Sequence, residues 1–154
     1  MGAILRLRLS DYVYFIGSQI REKGAHALLV PQQSIILAFW TQGVVGNGGF
    51  RYFYEQSNDP ISAAKAFRHI GLHEAGAAVE ASMRVFPPAT LEGDYKARDT
   101  WMNGHREELE KAWDDPEGVI MGLANDSPEG YGDLLEAQTL KFINEHLGEF
   151  EFKK

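Results

Sequence analysis

Along most of the chain apolar residues recur every three or four positions, the spacing of helices with one buried face. Ser10 can cap a first helix to about Lys23, with Val13, Ile16 and Ile20 inside and Gly24 as its stop; Ala25 to Val30 is then a connector. Pro31 suits the first turn of a second helix, where Ile36, Phe39, Trp40 and Val44 keep helical spacing as far as three glycines. Beyond them Asn47 is a good cap for an aromatic helix ending near Asn58: Phe50, Phe53 and Tyr54 share one face, and Arg51 and Glu55 form an i, i+4 pair on another. Asp59-Pro60 restarts the pattern. Ile61, Ala64, Phe67 and Ile70 follow, and after a break at Gly71 come Leu72, Ala75, Val79, Met83 and Phe86, closed by Pro87-Pro88.

The third part of the chain is more polar. Ala89 to Lys96 reads as a linker, and Met102, His105, Leu109 and Trp113 as the stripe of one helix. Asp115-Pro116-Glu117 and Ser127-Pro128-Glu129 read as turns around a short apolar piece, Val119 to Ala124. Asp133 with Glu136 is an acidic capping box opening a last helix with Leu140, Ile143 and Leu147 inside. Only the ends alternate with a period of two: Ile4 to Leu9 and Glu149 to Lys153 are either frayed termini or a small ribbon setting Arg6 and Arg8 opposite Glu149 and Glu151. The expected fold is all-α, a compact domain of about seven helices over residues 1–154, with that two-stranded ribbon as its one possible sheet.

With 154 residues, 44% of them hydrophobic, the chain can bury one sizeable core. It shows neither a signal segment, nor an apolar run long enough to span a bilayer, nor an acylation signal at Gly2, so a cytoplasmic protein without membrane attachment is expected. The lack of cysteine excludes disulfides, thiolate catalysis and Cys-based metal sites. Net charge is −7, distributed as +2 over residues 1–50, 0 over 51–89 and −9 over 90–154. An acidic surface of this kind disfavours direct nucleic-acid binding and suits a basic partner or simple solubility.

Chemistry-bearing patterns are sparse. His69 and His73 have two-ligand spacing, but Gly71 separates them and no third ligand stands at Ala77, so ordinary surface or core-edge histidines are preferred and neither metal nor cofactor is expected. His105 with Glu108 or Asp99, and Ser10, Ser57, Ser62 and Ser82 as nucleophiles, lack a recognisable catalytic context. Tyr12, Tyr14, Tyr52, Trp40, Trp101 and Trp113 fit core positions better than a pocket. Gly46, Gly48 and Gly49 before a helix start admit an anion site, although a structural turn is the preferred reading, since neither a P-loop nor a dinucleotide spacing is present.

Asn47-Gly48-Gly49-Phe50, followed by Tyr52 and Phe53 and preceded by an apolar helix carrying Trp40, resembles the hallmark of the bacterial DNA-mimic protein (DMP) family, first catalogued as a domain of unknown function. The similarity extends from Gln32 to Pro88 and includes Ala66 to Gly71, the alanine-rich helix and Phe86-Pro87; Val44, Tyr52 and Gln56 depart from what many members carry. The resemblance implies a non-enzymatic regulatory module, an acidic DNA mimic occupying the DNA-binding face of a basic partner, itself a candidate DNA-binding protein. The densest candidate array is Glu107, Glu108, Glu110, Asp114, Asp115 and Glu117. A second copy of the chain is a further candidate partner. The alternative is a small helical enzyme or ligand-binding protein with a pocket near Asn47-Gly48-Gly49.

Overall fold

A computed structural model describes residues 22–23, 30–128, 132–146 and 148. Among them are seven helices: α1 (Val30–Glu55), α2 (Pro60–His69), α3 (His73–Met83), α4 (Pro88–Glu92), α5 (Tyr95–Gly104), α6 (Arg106–Gly122) and α7 (Leu134–Glu145). No strand occurs among the described residues; Asp126 and Asp133 make one isolated antiparallel bridge. The proposed terminal ribbon and nearly all of the first expected helix lie outside the described residues. No described helix is long and apolar enough to cross a membrane.

The starts and stops follow local chemistry. The Asp59 carboxylate accepts the Ile61 N–H at 3.0 Å, with Pro60 in the first turn, and Asp133 accepts the Glu136 N–H at 2.7 Å. Asp94 does the same for Ala97 at 2.9 Å, opening α5. Gly71, at φ +93°, takes the left-handed turn between α2 and α3. The supposed linker after Pro88 contains the short α4, consistent with the fit of proline to a helical first turn.

Two helix boundaries differ from the sequence reading. The single helix expected through Met102 and Trp113 is divided at His105, where φ is −131° and ψ 31°. The His105 N–H turns to the Met102 carbonyl, while its ring Nδ1–H donates to the Trp101 carbonyl at 2.7 Å, capturing the acceptor a continuous helix would have used. Conversely, the expected turn at Pro116 is helix interior. Leu109, Trp113, Pro116 and Ile120 form one buried stripe, and burying it outweighs a mid-helix proline penalty of about 3 kcal/mol.

One apolar cluster joins these elements. α1 packs on α2, α5 and α6; α3 packs on α2 and α6. Phe50, Phe53, Tyr54, Phe67, Val79, Phe86 and Trp113 are buried as their spacing predicts. Trp40 is not: it is 54% exposed, and its indole N–H reaches Asn58 Oδ1 at 2.9 Å. The first arm of α1 buries Ile35, Ala38, Thr41 and Val45 beside the expected Val44, with Ile36 and Phe39 half-buried, and α2 turns Ile61 outward while burying Ala63 beside the expected Ala64, Phe67 and, at its C-cap, Ile70.

Candidate functional site

The two arms of α1 meet at a kink. Gly48 has φ −149° and ψ 16°, and Gly49 has φ +69° and ψ −172°, a region essentially reserved for glycine. The break exposes the backbone donors that begin the aromatic arm. The Phe50 N–H is taken, but not by Asn47, which stands exposed: Glu117 of α6 accepts it through Oε1 at 2.8 Å, from 67 residues away. A Cβ on Gly49 would lie inside contact distance of that carboxylate, and a Cβ on Gly48 would strike Tyr52. The glycines therefore serve both a backbone turn and the close seating of α6.

Below the kink the aromatic arm is anchored by Ser82. Tyr54 OH and Ser82 Oγ are 2.7 Å apart, and because Ser82 donates to the Val79 carbonyl at 2.6 Å, Tyr54 is the donor of the pair. Trp113 Nε1–H donates to the Ser82 carbonyl at 3.1 Å and its ring stacks on Tyr54, centroids 5.7 Å apart. Burial pushes the Tyr54 phenol well above its ordinary value, the Ser82 hydrogen bond opposing only part of that rise. This gives Ser82 a structural task in place of the nucleophilic one considered above. Its position on the stripe of Ala75, Val79 and Phe86 was the available signal.

The carboxylates of α6 divide into groups. Glu107, Glu110 and Asp114 lie three and four residues apart on one flank; Glu108 and Asp115, seven apart, lie on another. All five are exposed, whereas Glu117 is half-buried and committed to the Phe50 cap. Among the described residues the ion pairs are Arg51–Glu55 and Arg68–Glu80, both at 2.9 Å, so none of the five is paired with a cation there. In the second pair the guanidinium of Arg68 holds the Glu80 carboxyl below its usual range.

A groove of about 500 Å³ runs between the kink and this flank, lined on one side by Gly46 to Gly49 and on the other by Leu109, Glu110, Trp113, Asp114, Glu117 and Met121. Of the motif residues, Phe50 and Phe53 lie in the core and Tyr52 is half-buried, leaving Asn47 and the glycine backbone to face the groove. A second groove, about 510 Å³, lies between the start of α3, the end of α6 and α7. The histidine candidates do not converge. The His69 ring Nδ1 is 2.8 Å from Ser34 Oγ, His73 is exposed, His105 stacks on Trp101 at 4.1 Å, and no group of three metal-ligating side chains occurs among the described residues.

Residues 26–146 match the model of a protein family described as DMP19-like protein. No curated protein and no solved structure is significantly similar to the chain.

Proposed function

The chain belongs to the DMP19-like protein family, and from that premise we propose that it is a non-enzymatic regulatory module whose α6 carboxylates occupy the DNA-binding face of a basic partner protein. The supporting observation is the flank of Glu107, Glu110 and Asp114, exposed, without cationic partners among the described residues, and carried on a helix that continues through Pro116. A rigid helix holds charges at fixed intervals. Successive carboxylates on this flank rise about 4.5 and 6 Å along the axis, within a factor of two of the roughly 3.4 Å of axis per phosphate on one nucleic-acid strand. A basic surface selects charge geometry before chemical identity, so such an array competes for the same face. Glu117 stands outside the array because its carboxylate is used inside the protein.

The test is a pull-down at low and high salt followed by competition with the captured partner's DNA. Binding is expected to weaken steeply with salt, to exclude DNA, and to fall about tenfold or more when Glu107, Glu110 and Asp114 become Gln, Gln and Asn, since lost charge contacts at an interface cost a few kcal/mol together. A partner that holds protein and DNA together, or ignores the triple substitution, overturns the proposal.

A further inference from the structure

We infer that the groove between the glycine kink and α6 is a socket for an arginine side chain of the basic partner, an inference that rests on the partner-binding reading above. One wall is almost pure backbone, with Asn47 as its one side chain between Gly46 and Gly49. At Gly46 a Cβ would meet only Gln42 Nε2, at 3.5 Å, so the absent side chain leaves space rather than relieving a clash. The floor is apolar: Leu109 and Trp113 are each 3% exposed, and Met121, at 40%, stands at the mouth.

The charge on the opposite wall selects the occupant. Glu110 and Asp114 are exposed and lack a cation among the described residues, and Glu117, whose Oε1 is engaged by Phe50, also lines the groove. Two arginines also line the groove, but Arg51 is held by Glu55 and Asn103, so three carboxylates face Arg106 alone as a cation unpartnered among the described residues. An anion is disfavoured there by the three carboxylates, and Glu117 already occupies the Phe50 N–H at the helix start. A guanidinium suits the site better than an ammonium: it is flat and weakly hydrated, tolerates an apolar floor, and forks onto a carboxylate.

Capped hexa-arginine and hexa-lysine peptides test this by calorimetry and backbone amide shifts on the full chain. Met121→Lys places a competing cation at the mouth; Val119→Lys makes the same charge change on the other side of α6, at a residue 38% exposed. Met121→Lys is expected to weaken hexa-arginine binding about tenfold and Val119→Lys less than about twofold, with hexa-arginine tighter than hexa-lysine and amide shifts centred on Gly46 to Gly48. Gly46→Leu fills the groove without altering charge and should weaken hexa-arginine equally, which keeps the test valid if Met121→Lys fails to fold. Equal weakening by the two lysine variants, or unchanged binding by Gly46→Leu, overturns the socket. Neither result touches the acidic-face reading, which falls only with the triple substitution and the DNA competition.

Discussion

Gly49 and Glu117 are mutually dependent. The backbone of Gly49 lies where a side chain is strained, and the space a side chain would fill holds the Glu117 carboxylate. Gly49→Ala should cost about 1 to 3 kcal/mol through strain, and Glu117→Ala about 1 to 2 kcal/mol through loss of the cap. Combined, they should cost less than their sum, since a displaced carboxylate cannot be removed twice. Thermal denaturation of the four proteins decides this, and simple additivity would mean that the two residues act independently. Tyr54 offers a pH signature. Its charged form is the phenolate, which burial disfavours, so its folded pKa lies above the ordinary 10.0. The resulting stability is fully present below pH 10.0 and is lost as pH rises through and beyond that value. Denaturant melts across the alkaline range should show the loss, and Tyr54→Phe should flatten it. Tyr54 should ionise only on unfolding, as ultraviolet titration of the protein against Tyr54→Phe would read.

At the scale of the element, periodicity located helices better than it oriented them. Trp40 kept helical spacing with Ile36 and Val44, yet the arm is turned so that Ala38 and Thr41 face inward. Phe53→Ala should therefore cost about 3 to 5 kcal/mol by opening the core, whereas Trp40→Ala should cost less than about 1 kcal/mol. Equal losses in a denaturant titration would contradict the assigned faces. The stops of α5 and α7 share a device that spacing alone concealed. His105 and His146 each donate Nδ1–H to the carbonyl four residues back, at 2.7 and 2.8 Å, and each ring lies against the aromatic at that position, Trp101 or Phe142. An aromatic followed four residues later by histidine is the sequence trace of both.

Across the whole molecule, α6 carries six of the sixteen carboxylates that make residues 90–154 acidic, on one helix that continues through Pro116. If its outer flank meets a basic surface, affinity should fall nearly linearly with the logarithm of salt concentration, and neutralising Glu107, Glu110 and Asp114 should reduce that slope. Fluorescence titrations at several salt concentrations measure both, and an unchanged slope would separate the carboxylates from the contact. The sequence by itself determined the all-helical class, the caps at Asp59 and Asp133, the break at Gly71, the buried aromatic face from Phe50 to Tyr54 and the Arg51–Glu55 pair. All of these rest on interactions within about one helical turn, which a local pattern records. Only the tertiary structure decided which flank of α1 faces inward, that α6 passes through Pro116, and that Glu117 rather than Asn47 caps Phe50. Those depend on what another helix brings to the same place. A partner 67 residues away leaves no trace in the spacing of its neighbours, and the area buried between packed helices can override the local preference of a proline or a tryptophan.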